Sequence, residues 1–367
     1  MINDTISVEI PRTDTYNIII EYGIISKIGF NLLEEYGSSS VIVITDKNVS
    51  KLYGDVIFSS LTKAGLTVNI IVLPVGERTK SLYTAQNLYK QLLELQTRRR
   101  SVLLAFGGGM IIDTVGFVAA TYMRGIPYIN VPTSLLAQVD SSIGGKVAVN
   151  HPAGKNLVGA FYHPNKVYTD PSLLKTLSLR DIRSGMAEVI KIAIIADSNL
   201  FDFIEKNVTN ILKKDIDTLE KIISKASKLK VELLKPDPYE MNLKRPLNFG
   251  HTVGHAVEKE EAYRRIRHGE AVAIGMAVAT KISLRRGICN SVIAERIIGI
   301  LRQIGLPIYS RITADRIYQA MSIIKMIRDG NIYFVLPCSN LGQVFIVNDI
   351  EETEVIDALN ELKSNII

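Results

Sequence analysis

The stretch LLAFGGGMIIDTVGFVAATY, residues 103–122, joins a short apolar run to three consecutive glycines and then to a helical pattern. Glycines at such a turn let backbone N–H groups approach a phosphate at the start of a helix, where unpaired donors and the helix dipole favour negative charge. The spacing differs from the dinucleotide fingerprint GxGxxG, so a tight turn without a ligand remains an alternative. The stretch predicts one strand–turn–helix unit of an α/β domain with a candidate phosphate site.

Similar apolar runs lie on both sides of this stretch: YNIIIEYG (16–23), SSVIVITDKNV (39–49), LTVNIIVLPVGE (66–77) and YINVPTS (128–134). Short apolar runs separated by helical patterns are typical of parallel strands buried on both faces. We therefore expect a doubly wound, Rossmann-like α/β domain over residues 1–177. Asp46 follows one of these strands, where a carboxylate can accept hydrogen bonds from ribose hydroxyls, and this favours a dinucleotide.

The second half of the chain has a different pattern. DIRSGMAEVIKIAIIAD, DTLEKIISKASKLKVELLK and GEAVAIGMAVATKISLRRG repeat apolar residues every three and four positions, which is typical of helices. Near the end, NIYFVLPCSNLGQVFIVND predicts two strands joined by a turn at Gly342, followed by an amphipathic helix. We expect residues 178–367 to form a mostly helical metal- and substrate-binding domain.

Composition excludes several classes of protein. The excess of Lys and Arg over Asp and Glu gives a formal net charge of +6, but these basic residues are spread along the chain. The run TRRRS has no interleaved aromatic residues, so we expect no nucleic-acid partner. No apolar run is long enough for a membrane helix, and the first residues lack the pattern of a secretory signal. With only two cysteines, far apart in sequence, we expect a cytoplasmic protein without a disulfide framework.

A glycine-rich segment, PTSLLAQVDSSIGGKVAVNHPAGKNLVGAFYHP (132–164), holds Asp140, Lys146, Lys155 and Asn156. Two lysines among glycines and apolar residues favour a loop that wraps an anion. The alternative is a flexible exposed connection, since most glycine-rich segments are connections.

Three of the chain's five histidines lie close together in sequence, in LNFGHTVGHAVE and RHGEAV. On a helix His251 and His255 share one face, a spacing that suits a common ligand, and His268 follows shortly after. Glu188 interrupts an apolar helical face, and a buried carboxylate is costly unless it is paired or bound to metal. Two histidines and one glutamate with an open position are typical of a catalytic zinc site, whereas isolated histidines are more often packing residues.

These motifs together resemble the 3-dehydroquinate synthases, which belong to the sugar phosphate cyclases. The resemblance runs in order through TDKNV, PVGERTKS, GGGMIIDTVGFVAATYMRG, the glycine-rich segment, SGMAEVIK, LNFGHTVGHAVE and HGEAVAIGM. It implies a nucleotide-binding N-terminal domain and a helical C-terminal domain, bound NAD, a divalent metal (zinc, or a cobalt-like ion) and a homodimer. The implied substrate is a phosphorylated sugar acid, 3-deoxy-D-arabino-heptulosonate 7-phosphate. Transient oxidation by NAD, phosphate elimination, re-reduction and intramolecular aldol closure would convert it to 3-dehydroquinate, in the shikimate pathway of aromatic amino acid biosynthesis.

The resemblance also implies roles for matching positions. It places the metal on Glu188, His251 and His268, and makes His255 a neighbouring active-site histidine and not a ligand. The catalytic positions match Lys146, Lys191, Asn248 and His255. The substrate-binding positions match Arg124, Asp140, Asn156, Lys230, Lys244 and Lys325, with Arg124 offered across a dimer interface. The NAD contacts match Asp46, Asn48, Glu77, Lys80, Gly108, Gly109, Asp113, Thr133, Ser134, Lys155 and Thr176.

Two departures from the family pattern concern the substrate. The family usually has an arginine seven residues before the first metal histidine, where this chain has Lys244, and lysine loses the planar two-pronged grip on an anion. The family's DKK reads Ile324, Lys325, Met326 here. The alternatives are therefore a cyclase acting on another sugar phosphate such as sedoheptulose 7-phosphate, a metal-dependent NAD polyol dehydrogenase, and a non-catalytic binding protein.

Overall fold

The computed structural model describes residues 15–37, 40–152, 154–262, 265–327 and 332–364, with side chains between 323 and 327 left out. Its ten described strands are β1 (Asn17–Ile20), β2 (Ser40–Asp46), β3 (Thr67–Leu73), β4 (Val102–Gly107), β5 (Tyr128–Pro132), β6 (Lys146–His151), β7 (Gly154–Phe161), β8 (Lys166–Thr169), β9 (Phe334–Pro337) and β10 (Val344–Val347). The helices of the first half are α1 (Ile28–Tyr36), α2 (Lys47–Lys63), α3 (Leu82–Glu94) and α4 (Gly109–Thr121). Those of the second half are α5 (Leu179–Ala196), α6 (Ser198–Lys206), α7 (Val208–Leu212), α8 (Ile216–Leu234), α9 (His251–Glu260), α10 (His268–Arg285), α11 (Ser291–Ile304), α12 (Ala314–Ile327) and α13 (Glu352–Ser364).

Six strands form one parallel sheet in the order β1-β8-β5-β4-β2-β3. Both faces of the sheet are covered, because side chains alternate between two apolar cores. On β2, Val41 and Val43 share a core with α1 and α2, whereas Ile42 and Ile44 share a core with α3 and α4. This confirms the doubly wound α/β fold and explains why its strands read as continuous apolar runs.

The glycine-rich segment is more ordered than the sequence suggested. A π-helical turn, Ala137–Ser141, follows β5, and β6 and β7 then pair as an antiparallel hairpin. Val147 of this hairpin packs against α4 at Gly116, where an added Cβ would lie 2.3 Å from the valine Cγ1. Val147 and Val149 of β6 are buried, which contradicts the alternative of a flexible exposed loop for that strand, whereas four of the eight positions of β7 are exposed.

The second half is helical, as expected, around one large apolar core that centres on α5 and α10. Leu135, Val139 and Leu174 from the first half belong to the same core, so packing is continuous across residue 177, where the domain boundary remains a prediction. The strands β9 and β10 pair antiparallel, and Gly342 in their turn has φ 93°, which confirms the predicted hairpin. The Gly342 amide donates to the Ile194 carbonyl at 2.9 Å and so docks this hairpin on the end of α5. Within the described ranges, no helix combines the length and apolar character needed to cross a membrane.

Candidate active site

Three side chains predicted to bind metal converge in the helical half. Glu188 on α5, His251 at the start of α9 and His268 at the start of α10 place their potential ligand atoms within 4.8 Å of one another. The Nε2 atoms of the two histidines lie 3.7 and 3.6 Å from the same oxygen, Oε1 of Glu188. Glu188 is fully buried, and neither of its carboxylate oxygens accepts a hydrogen bond of normal geometry. Two imidazoles and one carboxylate facing a common point suit a divalent cation with an open coordination position.

Glycines bring the three helices into backbone contact at this cluster. An added Cβ on Gly269 of α10 would lie 1.9 Å from the Ser184 carbonyl oxygen of α5. An added Cβ on Gly275 would lie 1.8 Å from the Gly250 carbonyl oxygen, immediately before α9. Gly250 itself has φ 77°, a left-handed conformation that favours glycine. His251 and His268 therefore approach Glu188 because no side chain separates the helices that carry them.

Each candidate histidine ligand has a partner for its other ring nitrogen. Nδ1 of His251 lies 3.1 Å from the Phe249 carbonyl oxygen, and Nδ1 of His268 lies 3.3 Å from Oε2 of Glu258. A hydrogen on Nδ1 leaves the lone pair of Nε2 facing Glu188, which is the tautomer that metal binding requires. His255 packs edge-on against His251, with ring centroids 5.2 Å apart, and lies outside the three-residue cluster.

The ionisable groups of the cluster shift one another's pKa values. Burial opposes ionisation of Glu188, but Lys191, whose ammonium lies against Oε2, and the nearby histidines outweigh it and hold the pKa of Glu188 well below its usual range. Burial also opposes protonation of His268, yet Glu188 and Glu258 raise its pKa to about 10. Burial and Lys191 lower the pKa of His251 well below its usual range. Lys191 and Lys155 already pair with the two buried carboxylates, and the raised pKa keeps a proton on His268 as long as no metal is bound. A divalent cation that binds Nε2 of His268 would displace that proton.

A second charged cluster lies between α8, the π-helical turn and the β6–β7 hairpin. Lys230 of α8 is buried and donates to Oδ1 of Asp140 at 2.5 Å and to the Asp140 carbonyl oxygen at 2.6 Å. Lys146 of β6 pairs with Glu240 at 2.8 Å, and Arg245 pairs with the same carboxylate. Burial opposes ionisation of Asp140, but Lys230 outweighs it and lowers the pKa of Asp140. Glu188 and Lys191 of the metal cluster also act on this pKa, so the two clusters share one electrostatic environment.

The residues expected to contact NAD follow the carboxyl ends of parallel strands, the usual position of ligands in open α/β sheets. Asp46 ends β2, Glu77 and Lys80 follow β3, Gly108 and Gly109 follow β4, Thr133 and Ser134 follow β5, and Thr176 lies after β8. Gly108 is the N-cap of α4, and an added Cβ there would meet only Oγ of Ser134, at an ordinary contact distance of 3.6 Å.

Several of these side chains also have structural contacts. Oδ1 of Asp46 accepts from the Asn48 and Val49 amides at 2.8 and 3.1 Å and so caps α2, a role that needs no ribose. Lys80 is buried, pairs with Asp113 of α4 and donates to Oδ1 of Asn156 at 2.5 Å. Burial raises the pKa of Asp113 in spite of Lys80. Oγ1 of Thr176 lies 2.7 Å from the hydroxyl of Tyr53 on α2.

The structure does not bring every expected residue to these clusters. Arg124 is exposed beyond the far end of α4, a helix of 13 residues, and so lies roughly 20 Å from the glycine turn of its own chain. Lys244 is exposed, and its Nζ lies 5.6 Å from the centre of the Tyr333 ring. Asn248 donates to the Leu243 carbonyl oxygen at 3.3 Å. The backbone of Lys325 belongs to α12, but its side chain lies outside the described residues.

Three charged residues of these clusters were missed by sequence reasoning. Glu258 could have been found, because it follows His251 by seven positions and His255 by three, and thus lies on the same helix face. Glu240 and Arg245 lie in the irregular segment between α8 and α9, where no periodicity indicates which side chains point inward. Glu240 has φ 50°, an uncommon conformation for a residue with a side chain.

The chain matches the family models described as 3-dehydroquinate synthase N-terminal over residues 70–184 and 3-dehydroquinate synthase C-terminal over residues 185–326. It is 43% identical to a 2-epi-valiolone synthase of Actinosynnema mirum over 365 residues, covering 98% of this chain and 95% of that protein. It is also 43% identical to a 3-dehydroquinate synthase of Caldanaerobacter subterraneus subsp. tengcongensis over 357 residues, covering 97% and 99%. A solved 2-epi-5-epi-valiolone synthase of Streptomyces hygroscopicus subsp. jinggangensis, with NAD+ and Zn2+ bound, superimposes with a TM-score of 0.92 at 28% identity over 98% of this chain and 99% of that one.

Proposed function

Since this chain belongs to the family of 3-dehydroquinate synthases, we propose that it is an NAD- and divalent-metal-dependent lyase. Its proposed reaction is the conversion of 3-deoxy-D-arabino-heptulosonate 7-phosphate to 3-dehydroquinate and phosphate. The observation that carries the proposal is the convergence of Glu188, His251 and His268 beside buried lysines. When bound, NAD supplies a reversible hydride acceptor and the metal, Zn2+ or Co2+, supplies a Lewis acid.

The lysines of the site hold the substrate's anionic groups. Lys191 and Lys230 are buried. Burial lowers the pKa of Lys230, Asp140 raises it, and the nearby charge of Lys146 lowers it further, so the net pKa is below its usual value. Each lysine has a carboxylate partner here: Glu188, Asp140 and Glu240 respectively. A phosphate can therefore replace an existing carboxylate contact, with charge-assisted hydrogen bonds from lysines already held in place.

His255 is the proposed proton carrier. It lies one turn beyond His251, with its ring centroid 6.3 Å from that of His268, and so stands beside the metal cluster without joining it. A histidine in that position can accept and return a proton at the substrate while His251 and His268 hold the metal. Asn156 and Asn248 are proposed to orient substrate hydroxyl groups, which neutral amides can do by donating and accepting hydrogen bonds.

The proposal includes a homodimer in the cytoplasm. Arg124 lies too far from the glycine turn of its own chain to contact a substrate there, which supports its contribution to the site of a second copy. The exposed side chains of Met123 and Leu157 are apolar surface that a second copy could cover. Sedimentation should give a dimer, and R124A should lose turnover without losing NAD binding. A fully active monomer would contradict this part of the proposal.

A second candidate substrate is a heptulose phosphate without a carboxylate, such as sedoheptulose 7-phosphate. Lys244 occupies the position of the family's usual arginine, and an ammonium group lacks the planar two-pronged geometry with which arginine binds a carboxylate. The ammonium of Lys244 also lies over the Tyr333 ring. The similarity to a 2-epi-valiolone synthase points in the same direction.

Phosphate release decides between the substrates when it is assayed with each sugar phosphate and with the metal and NAD present. Preference for the heptulosonate supports the first candidate, and preference for sedoheptulose 7-phosphate supports the second. A polyol dehydrogenase would accumulate NADH, whereas a cyclase that recycles its cofactor should show no net rise in NADH absorbance. A binding protein would release phosphate from neither substrate.

Closure of the two halves is proposed to protect the oxidised intermediate from water. We expect small-angle scattering to show a smaller radius of gyration with NAD and a substrate analogue than without them. An unchanged radius would remove that support.

A further inference from the structure

Glu258 is a buried carboxylate that none of the proposed roles uses. It lies near the end of α9 and is 5% exposed. Its two oxygens face different partners: Oε2 lies 3.3 Å from Nδ1 of His268, and Oε1 lies 3.4 Å from Nζ of Lys155. The first partner belongs to the candidate metal cluster, and the second lies on β7, in the half of the chain expected to bind NAD.

The contact with His268 has a direct consequence for metal binding. A histidine that ligates through Nε2 carries its hydrogen on Nδ1, and a buried N–H without an acceptor is costly. For His251 the acceptor is a backbone carbonyl, whose position is set by the fold. For His268 it is a side chain that must itself be held in place. A carboxylate acceptor also makes the imidazole a stronger ligand than a neutral acceptor does.

Lys155 gives the Glu258 carboxylate its second anchor. Its Nζ lies 3.4 Å from Glu258 and 4.0 Å from Glu77, so the lysine stands between a helix of the metal-binding half and a residue that follows β3. An anionic group of a bound cofactor near Lys155 would draw the lysine towards itself. Glu258 would then interact more strongly with the His268 hydrogen, and the metal would bind more tightly.

We propose that Glu258 is a positioning residue that orients His268 for metal binding and, through Lys155, couples metal affinity to occupation of the NAD site. This inference rests on the proposed metal site. Glu258 does not need to contact substrate, metal or cofactor for the role. Coupling of this kind is reciprocal, so the metal should strengthen NAD binding by the same factor.

The test measures metal affinity directly on the full chain, after removal of metal, by titrating Zn2+ and Co2+ against a chromophoric chelator. E258Q keeps the size of the side chain and removes its charge. E260Q makes the same chemical change on the same helix, where Glu260 pairs with Arg316 instead of His268. We expect E258Q to bind both ions about 10- to 100-fold more weakly, as is usual for such supporting partners, and E260Q to match the wild type. The visible absorption bands of bound Co2+, which report ligand geometry, should change in E258Q alone.

The outcomes separate this inference from the proposed function. Failure of the wild type to bind either ion would overturn the proposed metal site itself. Wild-type binding with an equal affinity in E258Q, or an equal loss in E258Q and E260Q, would overturn the role of Glu258 alone. With saturating NAD, metal affinity should rise in the wild type and E260Q and rise less in E258Q. The same NAD-induced factor in all three proteins would overturn the coupling.

Discussion

Replacement of Gly275 by alanine should damage the metal site through a backbone contact. The added Cβ would lie 1.8 Å from the Gly250 carbonyl oxygen, 2.8 Å from its carbonyl carbon and 3.0 Å from the Gly254 amide nitrogen. All three are backbone atoms, so no flexible side chain can move aside. The first turn of α9 must therefore shift relative to α10, and it carries His251.

The size of the shift follows from the contact distances. An ordinary Cβ contact begins at 3.4 Å, so the two helices must separate by more than an ångström at this point. Metal–ligand distances tolerate only about 0.2 Å, so His251 would leave the coordination sphere. We expect metal affinity to fall by more than the roughly 10- to 100-fold that loss of a supporting hydrogen bond costs. Overpacking lowers the free energy of unfolding by about 1–3 kcal/mol, whereas the higher helix propensity of alanine raises it by about 1 kcal/mol. The free energy of unfolding should therefore fall by up to about 2 kcal/mol.

Gly299 in α11 provides the matched control, because an added Cβ there meets no atom within 4 Å. G299A should gain helix propensity without the clash. Its free energy of unfolding should therefore exceed that of the wild type by about 0.5–1 kcal/mol. Urea unfolding of the metal-free proteins and chelator competition measure the two effects separately. Equal stability of G275A and G299A, together with wild-type affinity of G275A for Zn2+, would contradict the expected clash.

Three further predictions concern single side chains. H268A should keep the circular dichroism spectrum of the wild type but contain no bound metal after desalting and release no phosphate. Undiminished turnover would refute the metal assignment. Burial, together with the nearby Cys338, raises the pKa of Cys289 to about 11, so its alkylation at pH 8 in the native protein should be at least about 100-fold slower than after denaturation, and equal rates would contradict the burial. Burial opposes ionisation of Asp197, but Lys225 and two amides of α6 outweigh burial and lower the pKa of Asp197. The ionised Asp197 therefore stabilises the folded state at pH values above the pKa of Asp197 in the unfolded chain, and this stabilisation is lost as the pH falls through the lower pKa of the folded state. D197N should therefore be less stable than the wild type at pH 7 and approach it near pH 3; a constant difference in urea midpoint would contradict this sign.

The amino-acid sequence was sufficient to predict the doubly wound α/β fold of the first half, although not its β6–β7 hairpin. Every position of β4, and every position of β2 after Ser40, is buried, so apolar residues were required on both faces and the strands could be read as continuous runs. The glycines after β4 marked the turn into α4, and the repeat of apolar residues marked α5 and α10. The hairpin β6–β7 could not be predicted in the same way, because its glycines are equally common in loops and its packing on α4 depends on a distant Gly116.

For the metal cluster, the local sequence pattern was not sufficient to identify all the ligands. Helical spacing alone paired His251 with His255, since residues four apart share a helix face. Glu188 was a candidate because it interrupts an apolar helical face, and the resemblance to a known family made His268, in place of His255, the second histidine ligand. The fold shows why these residues can meet, because glycines bring α5, α9 and α10 into backbone contact.

The sequence by itself determined which side chains were available for chemistry and which elements carried them, because periodicity and turn residues act over a few positions. Tertiary structure alone decided that Glu258 contacts His268, that Glu240 pairs with both Lys146 and Arg245, and that Lys244 lies over Tyr333. These contacts join residues on different elements or in irregular backbone, where the direction of a side chain is set by packing and not by spacing along the chain.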